Sequence, residues 1–458
     1  MINKSIFREY DIRGLVERDL TPEFVDRLGS AYARYLAPGG ERLKVCVGGD
    51  VRPSTPAIKD RLTASLLAAG LDVIDIGIVS TPVFYYSTFA LPVDGGIMIT
   101  ASHNPSEFNG FKINRGRSSL FGAAIQDLYR LMVENSPAAA APGALSRHDI
   151  LGDYRRMLEE RFPPLPRTLK VVADAGNGCA ALTAPSILRH MGCDLVELFC
   201  EPDGTFPNHH PDPTEEKNLQ DLIAAVRSER ADVGLAFDGD ADRIGVVDSG
   251  GRVVWGDQLM VLFAGEILKR RPGETFIGEV KCSQVMYDAI RKMGGNAIMW
   301  RTGHSLIKSK MKETGAVLAG EMSGHMFFAD GYYGYDDAVY AACRLLAILA
   351  SLPAGTGLDT LIDELPSTFT TPEIRRDCPD EKKFEVVAAL RRRIEDNPGE
   401  ATEVITIDGV RVVFPYGWGL ARASNTQPVL VLRFEADSQE NLDRVRAYIE
   451  GELSALGF

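Results

Sequence analysis

Two short segments hold residue types and spacings that could do chemistry. Thr100-Ala-Ser-His-Asn-Pro105 places one hydroxyl, Ser102, in a tight polar turn just after the apolar run Gly96-Ile97-Met98-Ile99. A presented nucleophile would sit there. Asp238-Gly-Asp-Ala-Asp-Arg243 offers Asp238, Asp240 and Asp242 at alternate positions, a ligand set suited to a hard cation. An EF-hand calcium loop would need Gly at its sixth place and Glu at its twelfth, and those places hold Arg243 and Ser249. What is left is a three-carboxylate site of Mg2+ type, completed by a phosphate oxygen. A serine nucleophile beside Mg2+ points to phosphoryl transfer. Each segment also has a plainer reading when taken singly: a serine in such a turn is commonly a helix N-cap, and three aspartates can form a solvated acidic turn.

The remaining polar loops are weaker alone. Glu321-Met-Ser-Gly-His325 brings a carboxylate, a hydroxyl and an imidazole close together, a set that can hydrogen-bond vicinal sugar hydroxyls or make a polar turn. Gly303-His-Ser305 puts a second histidine at a strand-to-helix junction. Arg422-Ala-Ser-Asn-Thr426, between Gly417-Trp-Gly419 and Pro428, gives a cationic fork and three short donors in one loop. That inventory suits a phosphate monoester, and equally an ordinary Ser/Asn turn. Arg8-Glu-Tyr-Asp-Ile-Arg-Gly14 is a polar loop with two arginines, read as a surface turn or a second phosphate contact. Asn109-Gly110 reads as a hairpin turn, with Lys112 beside it as a surface cation.

These loops need elements to position them, and three stretches repeat one order of strand, helix, strand, helix and strand before a polar loop. The first starts at Lys44-Val-Cys-Val-Gly, with a helix over 56–69, a strand over 73–79, a helical segment over 82–90 and a strand ending at Thr100; its loop carries Ser102. The second starts at Leu169, with helices near 183–191 and 218–228 and strands over 194–199 and 233–237; its loop carries the three aspartates. The third starts at Thr275, with helices near 283–293 and 305–313 and strands over 297–300 and 316–319, and ends in Gly320–His325. In α/β sheets ligands gather at the carboxyl ends of strands, and the three loops occupy equivalent ends. From about 367 the pattern changes. An amphipathic helix with Phe384, Val387, Leu390 and Ile394 on one side precedes two strands joined at Asp408-Gly409, a strand over 429–434, and a helix aligning Leu442, Val445 and Ile449. The low-complexity stretch 135–144 reads as a surface loop near the first boundary. The expected fold is α/β: three topologically similar α/β domains, each a mixed sheet between helices, plus a C-terminal α+β domain around a central cleft. The bounds expected are 1–149 for the serine loop, 150–251 for the metal loop, 252–366 for the hydroxyl-reading loop and 367–458 for the phosphate loop.

The size of 458 residues fits several domains. Hydrophobic content of 45% and charged content of 25% are ordinary globular values. A formal net charge of −13 argues against a nucleic-acid partner. An anionic small substrate would need local Arg, Lys and His to invert the field. There is no run of about 18 apolar residues, so no membrane is expected, and the residence expected is cytoplasmic. The seven cysteines are scattered without a CxxC pair, against a disulfide framework or a zinc site.

Taken together, Phe7–Gly14, Thr100–Pro105, Asn109-Gly-Phe-Lys112, Asp238–Arg243, Gly303-His-Ser305, Gly320–His325 and Arg422–Thr426 resemble the α-D-phosphohexomutase family, across all four inferred domains in order. Gly-Glu-Met-Ser-Gly-His resembles its phosphomannomutase/phosphoglucomutase branch; the glucosamine branch usually has Gln in place of Met322. The resemblance implies reversible interconversion of hexose 1-phosphate and hexose 6-phosphate, mannose or glucose, through a phosphoserine at Ser102 and a hexose 1,6-bisphosphate. It implies one Mg2+ per chain on Asp238, Asp240, Asp242 and the Ser102 phosphate, with glucose or mannose 1,6-bisphosphate as activator and intermediate. Arg422, Ser424, Asn425 and Thr426 would hold the substrate phosphate, and Glu321 and Ser323 the 3- and 4-hydroxyls. Arg243, Lys281, Gly303, His304 and His325 map to sugar or catalytic positions, and Tyr10, Arg13, His103 and Lys112 to the reacting end. Lys112 or His304 would exchange the hydroxyl proton, with Arg13 stabilising charge. Ala241 stands where many relatives have Gly. The partners implied are small-molecule phosphosugars, met by a monomer or a dimer. The rivals are a phosphoglucosamine mutase, a phosphatase of the same parts, and a non-catalytic phosphosugar-binding protein, which would need neither Ser102 nor the aspartates.

Overall fold

A computed structural model describes residues 2–134 and 141–458. Most of the stretch read as a low-complexity surface loop, 135–140, lies outside the described residues. Residues 141–144 are coil leading into the short strand Leu145–Arg147. The chain forms two compact units. Unit 1 is assembled from two separated stretches, Met1–Leu259 and Ser323–Thr360, and unit 2 from Met260–Met322 and Leu361–Phe458.

Unit 1 holds two mixed sheets. The first runs Ile12–Leu15, Phe108–Arg115, Gly95–Ile99, Lys44–Gly49, Asp72–Ile78, Leu145–Arg147, antiparallel on the Phe108–Arg115 side and parallel from Gly95–Ile99 onward. Every residue of Gly95–Ile99, paired antiparallel with Phe108–Arg115 and parallel with Lys44–Gly49, is buried, as a continuous apolar run in a sheet covered on both faces requires. Helices Pro22–Leu36, Thr55–Ala68 and Ala123–Glu134 supply apolar residues to this sheet's core, among them Phe24, Leu28, Leu62, Leu66, Ile125 and Leu128. Helix Pro22–Leu36 starts where the Thr21 side chain accepts the Phe24 amide and Pro22 occupies the first turn, a position where the missing N–H costs nothing. The second sheet runs Val253–Val254, Ile244–Asp248, Val233–Phe237, Lys170–Asp174, Asp194–Leu198. Its last two pairings are parallel and its first two antiparallel.

Unit 2 holds the parallel strands Asn296–Trp300, Thr275–Glu279 and Leu318–Gly320, with helices Gln284–Lys292 and His304–Thr314. It also holds an antiparallel sheet of Ile374–Asp377, Phe369–Thr370, Val429–Ala436, Gly417–Ala423, Val410–Phe414 and Glu403–Ile405. Helices Lys383–Asp396 and Gln439–Ser454 pack on it through Val386, Val387, Leu390, Ile394, Leu442, Val445 and Ile449. The architecture is thus the expected one of mixed sheets between helices with a C-terminal α+β part.

Three local expectations are corrected. Asn109-Gly110 is no hairpin turn: both residues lie inside strand Phe108–Arg115. The Asn109 amide donates to Ser54 Oγ at 2.9 Å and Thr55 Oγ1 at 3.0 Å, and a Cβ at Gly110 would collide with the Ile12 carbonyl of the neighbouring strand. Phe384 is 58% exposed, and Val386 takes the inward place. Gly417-Trp-Gly419 and Arg422 belong to strand Gly417–Ala423, so the turn proper begins at Ser424. No helix among the described residues is long and apolar enough to cross a membrane.

Candidate functional site

Unit 1 gathers the serine turn and the aspartate loop. Ser102 follows strand Gly95–Ile99 with φ +51° and is 3% exposed. Its amide donates to Thr100 Oγ1 at 3.0 Å, and its hydroxyl donates to Asp238 Oδ2 at 2.7 Å. His103 Nδ1 lies 3.2 Å from Ser102 Oγ. The one hydroxyl proton is committed to Asp238, so the imidazole N–H is the donor on that side. The two loops touch through backbone as well: a Cβ at Gly239 would collide with the Ser102 carbonyl. The second position of the aspartate loop is therefore closed to any side chain.

Asp238, Asp240 and Asp242 are fully buried, and one oxygen from each lies within 4.8 Å of the others. Their hydrogen bonds divide the oxygens into two sets. Asp238 Oδ1 accepts the amides of Asp242 and Arg243, Asp240 Oδ2 accepts Thr81 Oγ1 at 2.5 Å, and Asp242 Oδ2 accepts the Lys112 ammonium. Asp240 Oδ1 and Asp242 Oδ1 are buried with no hydrogen-bond partner. Burial and the Asp242 and Asp240 charges push the Asp238 carboxyl well up. A divalent cation relieves this arrangement, since it supplies the positive charge three crowded carboxylates lack and takes the oxygens left over. The residues present fit such an ion.

The cationic side chains of this site are buried or half-buried. Lys112 is 4% exposed, bound to both Asp240, at 3.0 Å, and Asp242. Burial works against its charge, but those two carboxylates outweigh it and hold the ammonium well above its ordinary range. Arg243 donates from Nε to His325 Nε2 at 2.9 Å, which leaves His325 Nδ1 to face Asp336 Oδ2 at 3.1 Å and Asp242 Oδ1 at 3.6 Å. His103 Nε2 lies 4.0 Å from Asp212, and Arg243 3.9 Å from the same carboxylate. Burial, then the neighbouring Arg243, pulls the His103 imidazole well below its ordinary range. Arg13 is forked between Asp11 at 2.7 Å and the Asn104 side chain at 2.8 Å, and Tyr10 is buried beside this amino-terminal loop. Ser323 is half-buried in the turn before His325.

Unit 2 gathers the other predicted residues, with Glu279 at their centre. Glu279 ends strand Thr275–Glu279 and is fully buried. Its Oε2 accepts the Lys281 amide at 2.8 Å and Thr302 Oγ1 at 2.7 Å, and its Oε1 the Met322 amide at 3.4 Å. One carboxylate thereby ties three loops together. Glu321 Oε1 accepts the Gly303 amide at 2.7 Å, just before His304 opens helix His304–Thr314. Lys281 Nζ meets Glu373 at 3.1 Å. Burial opposes the Glu373 charge, but Lys281 and Arg375 outweigh it and bring that carboxyl down to about 2. The loop carbonyls of Val280 and Cys282 accept from the buried Arg411 at 2.6 and 2.8 Å, and that of Lys281 from Arg433. Arg422, 4% exposed, is braced on Asp408 Oδ2 at 3.0 Å. Ser424 Oγ accepts the amides of Thr426 and Gln427, and the turn shows Asn425 half-buried and Thr426 exposed.

All predicted residues thus lie in one or the other of the two units. The Glu-Met-Ser-Gly-His segment is divided between them: Glu321 belongs to unit 2, and Ser323 and His325 to unit 1. Sequence reasoning missed Arg52, Asp212, Glu279, Asp336 and Glu373. Asp50-Val-Arg52 and Glu279 follow or close strands at the same ends as the named loops, and that position was the available signal. Asp212, Asp336 and Glu373 gave none, because only tertiary packing brings them to a cation.

The chain matches the four domain descriptions of one family: phosphoglucomutase/phosphomannomutase α/β/α domain I over residues 4–136, domain II over 154–251, domain III over 255–369, and the C-terminal domain over 373–452. It is 45% identical over 452 residues to a phosphomannomutase/phosphoglucomutase of Pseudomonas aeruginosa, covering 99% of this chain and 96% of the relative. It is 43% identical over 447 residues to a phosphoglucomutase of Neisseria gonorrhoeae, covering 97% and 96%. Among solved structures, a phosphoglucomutase/phosphomannomutase family protein of Burkholderia thailandensis superposes with a TM-score of 0.92 at 42% identity, covering 99% of this chain and 98% of that one.

Proposed function

The chain belongs to the phosphoglucomutase/phosphomannomutase family, and from that premise we propose that Ser102 is the phosphoryl carrier of an enzyme interconverting hexose 1-phosphates and hexose 6-phosphates. The observation that carries this reading is the 2.7 Å bond from the Ser102 hydroxyl to Asp238, beside two buried carboxylate oxygens without partners. Asp238, Asp240 and Asp242 would hold one Mg2+ together with an oxygen of the Ser102 phosphate. When bound, that ion supplies positive charge against the phosphoryl oxygens.

In the forward transfer the bond between Ser102 Oγ and phosphorus breaks, and a bond forms from phosphorus to the free hydroxyl of the hexose monophosphate. The product is a 1,6-bisphosphate of glucose or mannose. In the return transfer its other phosphate goes to Ser102 and the isomeric monophosphate leaves. Lys112, Arg13 and Arg243 stabilise charge at the reacting end, and His103 and Tyr10 help to place it. His304 is the proposed acceptor for the hydroxyl proton; Lys112, the other candidate, is already a charged ammonium between Asp240 and Asp242. Glu321 and Ser323 read sugar hydroxyls, with Lys281, Gly303 and His325 as further sugar contacts. Arg422, Ser424, Asn425 and Thr426 take the phosphate that does not react. The corresponding domains are 1–149, 150–251, 252–366 and 367–458, and the working unit, a monomer or a dimer, acts on small-molecule phosphosugars.

Intact mass spectrometry tests the carrier. The wild-type protein, treated with glucose 1,6-bisphosphate, is expected to carry one added phosphate and to carry it still after turnover of hexose monophosphate, because the return transfer restores it. Ser102→Ala is expected to fold, to carry none and to turn over at less than about 10⁻³ of the wild-type rate. Near-normal turnover by that variant would refute the assignment. Turnover of glucose, mannose and glucosamine phosphates by the wild type ranks the sugars.

A further inference from the structure

Arg52 stands outside every motif that reads as chemistry, yet its side chain is wholly buried against the serine turn. It follows strand Lys44–Gly49, and each of its five N–H groups has an acceptor. Nε meets Asp50 Oδ2 at 3.1 Å. Nη1 donates to the carbonyls of Pro105 at 2.6 Å and Phe108 at 3.1 Å, and Nη2 to those of Ser102 at 2.8 Å and Asn104 at 2.5 Å. The guanidinium lies 5.2 Å from the Phe206 ring. Asp50 is itself fixed, accepting Thr55 Oγ1 at 2.7 Å and the Arg52 amide at 3.1 Å.

Four of those five acceptors are main-chain carbonyls of 102–108, the turns that lead into strand Phe108–Arg115. Ser102 holds a left-handed φ of +51°, a conformation that non-glycine residues adopt at a cost and keep only where their surroundings impose it. The Ser102 carbonyl is wedged between the Arg52 Nη2 and Gly239. Its hydroxyl direction is therefore set from behind, through the backbone. Lysine, with three donors on one nitrogen and no planar fork, cannot meet this set of acceptors.

We propose that Arg52 is a positioning residue for phosphoryl transfer: it sets the attitude of Ser102 by gripping the carbonyls of its turn, without touching substrate. The proposal rests on Ser102 being the phosphoryl carrier. Arg52→Lys, preloaded with phosphate from glucose 1,6-bisphosphate and saturated with Mg2+, should keep a cooperative thermal transition. Its single-turnover transfer to glucose 1-phosphate should slow about 10–100-fold, the loss expected for misplacing a reacting group by roughly 1 Å. KM should change by less than about threefold, because the groups that bind sugar are untouched, and amides 102–108 should exchange faster. Wild-type transfer by the folded, phosphate-loaded variant would overturn the proposal, as would a loss accounted for by the folded fraction alone. Should Arg52→Lys fail to fold, Asp50→Asn, which keeps the guanidinium but removes its charged anchor, should slow the same step about 2–10-fold; a wild-type rate there would overturn it. An inactive Ser102→Ala with an unimpaired Arg52→Lys would sink only the Arg52 inference. An active Ser102→Ala would sink the carrier reading itself.

Discussion

Ala241 shows what a single residue can conceal. It is fully buried at φ +63° in the middle of the aspartate loop, a backbone conformation that costs an L-residue with a Cβ roughly 1–2 kcal/mol. Ala241→Gly is therefore expected to stabilise the protein by about 1 kcal/mol with turnover unchanged, since no proposed ligand moves. Chemical denaturation at fixed Mg2+ measures it, and a destabilised variant would show that the methyl packs better than the strain costs. Ser102 and the three aspartates were legible in the sequence because their spacing is local. Lys112 read as a surface cation because its burial depends on Asp240 and Asp242, about 130 positions away, which no local pattern reports. Arg52 offered only its place after a strand, because four of its acceptors lie 50 to 56 positions on.

At the scale of elements, the strand Val233–Phe237 was readable as a short apolar run, because it is buried throughout, and the helix face Leu442, Val445, Ile449 from its periodicity, because burial on one side imposes it. The errors arose where a local signal met a tertiary neighbour. Asn109-Gly110 has turn chemistry, but strands on both sides draw it into the sheet. Helix Ala338–Ser351 begins at Asp337, a fully buried carboxylate that caps it by accepting the Tyr340 amide at 2.9 Å. The same carboxylate accepts the Tyr154 hydroxyl at 2.9 Å and that of Tyr332 at 2.6 Å. Burial raises this carboxyl from an ordinary 3.8 to about 6, against those hydrogen bonds. The native state thus holds the proton more tightly than the unfolded chain, so this group favours folding below about pH 4 and the advantage fades as pH rises through 6. The size is at most about 3 kcal/mol. Asp337→Asn should remove that dependence: between pH 4 and 7 the wild type should lose up to this much stability relative to the variant. Parallel stability profiles would contradict it.

On the scale of the molecule, each unit has cores of its own, and the candidate metal site lies wholly inside unit 1. Mg2+ at about 100 times its dissociation constant is expected to stabilise unit 1 by about 2.7 kcal/mol. The slowest-exchanging amides of strands Lys44–Gly49 and Val233–Phe237 should then slow by up to about 100-fold, and those of Thr275–Glu279 and Val429–Ala436 should not. Equal slowing in both units would place the ion, or its effect, elsewhere. Unit 1 is also built from stretches that are not adjacent in the chain, and this bears on synthesis. On a ribosome adding roughly 5–20 residues per second, the aspartate loop emerges well before His325 and Asp336, which arrive only after much of unit 2 has been made. The nascent unit must wait, with its acidic loop incomplete, for a segment delivered out of turn, and that interval is when a chaperone or a cation would find it open.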